Sequence, residues 1–191
     1  MASLAEILSD QQEDQLVLVD MLDREVGTMG KLAAHEQARL HRAFSVFLYR
    51  GGHDGRPVET LVQRRAAGKY HSGGLLTNSC CSHPRAGEPL DVAAQRRVEQ
   101  ELGVTGVRMG EVGSFVYRAR LGEGLVEFEY DHVLIGRYDG PVTPDPQEAS
   151  EAAWVEVGAL LADLEAHPSR YTAWFMTAAP MAVGGMLGPG A

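Results

Sequence analysis

The stretch TNSCCSHP, residues 77–84, holds both cysteines of the chain side by side, and His83 stands two positions beyond the second. Three chemistries fit that arrangement: small buried apolar side chains, part of a metal site, or a reactive thiol held beside one. A free cysteine taken alone is more often a packed side chain than a nucleophile or an acid. Nearby cations favour the thiolate, and nearby carboxylates keep the proton on. A bond between neighbouring cysteines is strained, so the pair reads as free thiols in a reducing compartment.

A second constellation is VEFEYDHV, residues 126–133. In a strand, Glu127 and Glu129 share one face while Phe128 and Tyr130 take the other. Two carboxylates on one face repel unless solvent, a proton or a cation separates them. On an exposed face they are a solvated edge; facing a pocket, they call for a metal. His35 and His41, in AAHEQARLHRAF, are six apart and share no helix face, so a site using both needs a turn or a strand entry between them. A histidine pair without context is a weak signal. His35, His41, His83, Glu127 and Glu129 together form a nitrogen and oxygen donor set suited to zinc or manganese. Lys31, Arg65, Lys69 and Arg97 are groups that can grip phosphate, arginine by two parallel hydrogen bonds and lysine as a point charge. Scattered as they are, they serve equally well as solubilising charge.

The elements that must position these groups read as mixed. LVLVD (16–20) and AFSVFLYR (43–50) are β-rich, and GGHDGRP is turn material before ETLVQRR (59–65). DVAAQRRVEQELG (91–103) carries helix formers, an early acid and Gly103 at the stop. VGSFVYRARL and LVEFEYDHVLIGRY flank a GEG turn and predict a β-hairpin. GALLADLEAH and SRYTAWFMTAA predict two final helices. There is no internal repeat, and the sum is an α+β domain.

With 191 residues, 45% apolar and 23% charged, the chain is long enough to bury one substantial core. We expect a short, helical N-terminal extension over 1–14, one domain over 15–180 and a loose Gly-rich tail over 181–191. The net charge of −9 excludes a broad grip on nucleic acid or anionic membrane, so an anionic ligand requires a local cluster of Lys and Arg. The N-terminus lacks the basic-then-apolar pattern of a signal peptide, and no apolar run approaches a membrane span. A soluble cytoplasmic protein is expected; its oligomeric state stays open.

Taken in order, KLAAHEQARLHRAFSVFL, QRRAAGKYH, TNSCCSHP, RRVEQELG, VEFEYDHV and YTAWF resemble the type I isopentenyl diphosphate isomerase family, a branch of the Nudix fold. The resemblance covers residues 16–176 and implies a mixed β-sheet sandwich flanked by helices. It also implies that His35, His41, His83, Glu127 and Glu129 hold one Mn²⁺ or Zn²⁺. By the same resemblance, Glu101 helps hold a Mg²⁺ that bridges the substrate diphosphate, and Lys31, Arg65, Lys69 and Arg97 bind that diphosphate. Cys81 and Glu127 become the acid–base pair, Tyr117 sets the state of Glu127, and Trp174 lies beside the hydrocarbon end of the substrate.

The implied reaction is the isomerisation of isopentenyl to dimethylallyl diphosphate, a step of isoprenoid biosynthesis. One group protonates the terminal alkene carbon and another takes a proton from the neighbouring methylene. The main alternative is a Nudix-type diphosphohydrolase, whose helix needs several carboxylates; in RRVEQELGV, Arg97 and Gln100 stand where two glutamates belong. A divergent prenyl-diphosphate binder without turnover is the other. Gly73 and Leu76 stand where the family often carries proline and tryptophan, Phe128 separates the paired glutamates and Ala173 precedes Trp174. Loss of the ring at Leu76 is expected to widen the pocket wall and leaves open a larger homoallylic diphosphate.

Overall fold

The structure, a computed structural model, describes residues 15–53, 55–69, 71–121 and 124–188. The expected extension over 1–14 and the residues 122–123 of the GEG turn lie outside this set. Nine strands form one mixed sheet: β1 (Gln15–Val19), β2 (Glu25–Gly30), β3 (His41–Arg50), β4 (Glu59–Arg65), β5 (Leu76–Thr77), β6 (Cys80–Ser82), β7 (Met109–Arg120), β8 (Val126–Arg137) and β9 (Ala149–Glu156). Helices are α1 (Lys31–Glu36), α2 (Leu90–Leu102), α3 (Val157–Ala166) and α4 (Phe175–Met186), with a 3₁₀ turn at Pro168–Arg170.

Strand β3 organises the sheet. Along one edge it pairs in parallel with β8, from His41 opposite Glu129 to Tyr49 opposite Arg137. Along the other it meets β1 at His41, β6 at Phe44–Val46 and β4 at Tyr49–Arg50, all antiparallel. A strand covered on both edges and both faces must be apolar nearly throughout, and AFSVFLY is. β7 and β8 form the expected hairpin. Strands β2 and β9 were not legible locally: β9, ASEAAWVE, has the composition of a helix, yet it pairs with β4 over that strand's whole length.

The sheet separates two apolar cores. On one side Phe44, Val46, Leu48 and Cys80 pack under α2 through Ala94, Val98 and Leu102. Helix α2 stops at Gly103, whose φ of 65° is the left-handed cap that the sequence predicts. On the other side Phe47, Val62 and Val133 pack under α3 and α4. Glu156 caps α3 by accepting from the Gly158 and Ala159 amides, both at 2.8 Å.

The last helix corrects the expected boundaries. Residues 169–174 are a 3₁₀ turn and an extended bridge, and the helix starts only at Phe175. It then runs through Met186, so the tail expected from 181 is helical to that point, with Ala182, Val183 and Met186 buried. Gly185 serves close packing: a Cβ on it would lie 2.5 Å from Val112 Cγ1. Among the described residues no helix is long and apolar enough to cross a membrane.

Phe175 anchors this end, stacked between Phe47 at 5.7 Å and Tyr171 at 5.1 Å and fully buried. Phe175→Ala is expected to cost about 3–5 kcal/mol in urea unfolding. A loss below about 1 kcal/mol would show that the stack does not hold α4 to the sheet.

Candidate active site

The floor of the site is where β3, β6 and β8 adjoin. Alternation along β8 puts Glu127, Glu129 and Asp131 on one buried face, while Phe128 and Tyr130 are half-buried on the other. In β6 the same alternation separates the two cysteines. Cys80 is fully buried in the core beneath α2, and Cys81, opposite Ser45, faces a hollow of about 90 Å³. Of the residues singled out by sequence, Lys31, Arg65, Lys69, Cys81, His83 and Arg97 line that hollow with Glu101, Tyr117, Glu127, Glu129 and Trp174. His35 and His41 lie behind it, fully buried.

The turn required between the two histidines is present: His35 sits near the end of α1, and His41 opens β3. Ligand atoms of His35, His41 and Glu129 all lie within 4.8 Å of one another. Each of these two rings gives its Nδ1–H to a main-chain carbonyl, His35 to Lys31 at 2.7 Å and His41 to Arg39 at 2.8 Å. That leaves Nε2 of each ring as the atom free to reach a metal. His41 Nε2 makes no hydrogen bond and lies 3.4 Å from Glu129 Oε1. His83 Nε2 lies 3.1 Å from the same oxygen. Burial pushes the His83 pKa down to about 4 and also lowers that of His35, so both are neutral donors near pH 7. The set fits a divalent ion. Glu127 stands at its border, not inside the tightest group.

Glu127 and Glu129 meet at Tyr117, whose hydroxyl donates to Glu129 Oε2 at 2.6 Å and lies 3.2 Å from Glu127 Oε2. Burial and the neighbouring Glu129 charge raise Glu127 well above the usual carboxylate range. Burial acts on Glu129 in the same direction, but the His41 and His83 rings pull it well below. Asp131 is raised by burial and by Glu129; its Oδ2 accepts from Ser45 at 2.8 Å, and its Oδ1 accepts no hydrogen bond. Burial pushes the Cys81 thiol up to about 12 against the pull of Arg65, whose Nη1 lies 3.7 Å from Sγ.

Three residues here escaped the sequence reading: His71, Glu148 and Asp131. His71, from the loop after β4, places Nε2 3.1 Å from Glu127 Oε1 and its ring 6.1 Å from that of Trp174. Glu148, at the end of the loop before β9, is ion-paired with Lys69 and lies 3.5 Å from Arg97. Neither has a local pattern that announces it. Asp131 had one, since the alternation that singled out 127 and 129 continues to it.

The basic residues divide. Lys69 and Arg97 share one end with Glu101, which accepts from Arg97 at 2.6 Å. Arg65 instead lies among Cys81, the His71 carbonyl and the Trp174 ring, its guanidinium 5.4 Å from the ring centroid. Trp174 is fixed by its indole N–H, which donates to Asn78 at 3.0 Å.

Leu76 is not among the residues that line the hollow of the candidate site. It lines a separate hollow of about 340 Å³ with Val62, Val155 and Tyr171. Gly73 is fixed by crowding, because a Cβ there would lie 2.6 Å from the Ala67 carbonyl oxygen.

Known proteins resemble this chain in sequence and in fold. The NUDIX domain matches residues 39–175. Isopentenyl-diphosphate Delta-isomerase 2 of Aromatoleum aromaticum is 46% identical over 162 residues, covering 85% of this chain and 82% of its own. Isopentenyl-diphosphate Delta-isomerase of Photobacterium profundum is 46% identical over 165 residues, covering 85% and 91%. Among solved structures, DR0079 from Deinococcus radiodurans superposes with a TM-score of 0.70 at 20% identity, over 88% of this chain and 98% of that one, which is a likeness of fold alone. With its curled mixed sheet, flanking helices and close relatives by sequence, the chain belongs to the isopentenyl-diphosphate Delta-isomerase family of the NUDIX fold.

Proposed function

We propose that the chain converts isopentenyl diphosphate to dimethylallyl diphosphate, with Cys81 and Glu127 as the proton-transferring pair. The observation that carries this reading is that a half-buried thiol and a buried carboxyl line one hollow, and Tyr117 and Trp174 form part of its wall. Lys69 and Arg97, with Lys31, hold the diphosphate by charge and hydrogen bonds. Arg65 sits between that end and the thiol. Fixing the charged end delivers the five-carbon end to the acid–base pair by proximity.

The Cys81 thiol, which burial keeps protonated, gives its proton to the terminal alkene carbon. The resulting tertiary cation needs a water-poor pocket, and the Trp174 face stabilises it by about 2 kcal/mol. Glu127, as carboxylate, takes the proton from the methylene, and the double bond forms there. Tyr117 and His71 hold the Glu127 oxygens in place for this step.

His35, His41, His83 and Glu129, joined by Glu127, are the residues that would hold one Mn²⁺ or Zn²⁺, and Glu101 one Mg²⁺ with the diphosphate. A divalent ion at the histidine cluster, when bound, supplies the positive charge that lets Glu127 and Glu129 be ionised together. The free thiols suit a reducing cytoplasm, where we place the protein.

Proton NMR of isopentenyl diphosphate with purified protein and Mg²⁺ in deuterated water should show two new methyl signals with deuterium incorporation. Release of phosphate instead would support the hydrolase, and binding without any change of the alkene would support a non-catalytic binder. Cys81→Ala and Glu127→Gln should each lower kcat by roughly 100- to 10,000-fold with an unchanged circular dichroism spectrum. A near-native rate in either variant would remove that residue from the pair. Chelation should abolish turnover and restoring a divalent metal should recover it; full activity in the chelated protein would rule out metal-dependent ionisation of Glu127.

A further inference from the structure

At the end of the hollow that receives the diphosphate, two of the three cations are already paired from within. Lys69 is ion-paired with one oxygen of Glu148, and the other oxygen lies 3.5 Å from Arg97 Nη2. The same Arg97 nitrogen donates to Glu101 at 2.6 Å. Two cations thus face two carboxylates.

Glu148 is held there by its backbone. Its carbonyl accepts from the Ala66 amide at 3.0 Å, its amide donates to Asp145 at 2.9 Å, and Asp145 in turn donates to the Glu101 carbonyl at 2.8 Å. These bonds tie the loop before β9 both to the end of β4 and to α2. The Lys69 and Glu148 side chains are only a quarter exposed, so solvent screens the pair weakly.

A diphosphate carries several negative charges at neutral pH. With Lys69 and Arg97 already paired, Lys31 is left to attract it, and each contact it gains on the other two competes with Glu148. A ligand that arrives with a divalent cation changes the balance, since the cation neutralises the phosphates and gives Glu101 and Glu148 a counter-charge. We propose that Glu148 is a specificity-determining residue: by engaging Lys69 and Arg97 it makes diphosphate binding conditional on a divalent cation and rejects metal-free anions. This rests on the reading of Lys69 and Arg97 as diphosphate contacts.

The test is calorimetric titration of the full chain with inorganic pyrophosphate, once in chelator and once in excess Mg²⁺. Wild-type protein should bind at least about tenfold more tightly with Mg²⁺ than without. Glu148→Gln keeps the shape and an acceptor for Lys69 but removes the charge. It should bind metal-free pyrophosphate at least about tenfold more tightly than wild type, and its gain from Mg²⁺ should shrink.

Unchanged metal-free affinity in the variant would overturn the proposal. So would weaker binding in both conditions, which is what a purely structural Glu148 would give by releasing Lys69. Equal wild-type affinity with and without Mg²⁺ overturns it without any variant, should Glu148→Gln fail to fold. Isomerisation followed separately by NMR keeps the two readings apart: turnover by wild type with any of these binding results sinks the role of Glu148 and leaves the reaction standing.

Discussion

Three carboxyl groups, Glu127, Glu129 and Asp131, lie on one buried face of β8, and they cannot all be ionised in so little water. The structure meets this constraint by treating them differently. Glu129 has two imidazoles and a phenol around it and carries the charge; Glu127 and Asp131 are held toward their protonated forms. The groups that make Glu129 tolerable come from far along the chain. His41 is set opposite it by the parallel register of β3 and β8, His83 follows β6, and Tyr117 faces it across the β7–β8 hairpin. A shift of one residue in any of these pairings would turn the partners to the other face and leave the carboxylate alone.

That arrangement also gives the hollow its two unlike ends. At one, Cys81 and Glu127 are groups whose protonation is biased by burial and by each other's neighbours. At the other, Lys69, Arg97, Glu101 and Glu148 form a compensated charge network. Arg65 links them: its guanidinium reaches the thiol while also lying against the indole of Trp174. A cation held there pulls the thiol toward its charged form, opposing burial and the surrounding acids, and burial wins.

How much of this could be read from sequence depended on whether the cause was local. Alternation along β8 fixed the common face of Glu127 and Glu129 because period-two patterning is a property of the strand itself. The six-residue histidine interval demanded a break, and one exists between Glu36 and His41 for that reason. Gly103 announced the end of α2 because a left-handed cap needs glycine. By contrast β9 is a strand only because β4 offers a long edge to pair with, and no residue of ASEAAWVE states that. The glycines of 184–185 read as looseness, but Gly185 is small so that α4 can approach β7. Leu76 was assigned to the pocket by its place in a motif, whereas its side chain faces the hollow beside α3. His71 and Glu148 reach the site from loops, where neither period nor spacing carries information.

The same network bears on why this fold would move a proton instead of splitting a diphosphate. Hydrolysis on the α2 helix asks for several carboxylates to gather metal around an attacking water. Here Arg97 occupies one of those positions, donating to Glu101 from four residues away, and Gln100 occupies another, accepting from Arg97 at 3.2 Å. Each cation placed on the helix removes charge that a metal cluster would need and adds a hydrogen-bond donor that suits a phosphate left intact. Among the described residues the buried carboxyl groups are Glu101 on α2 and Glu127, Glu129 and Asp131 on β8, so most of them stand beside the thiol. On the proposed reading, the cation on α2 serves the phosphates and the acids on β8, with the thiol of β6, serve the carbon chain.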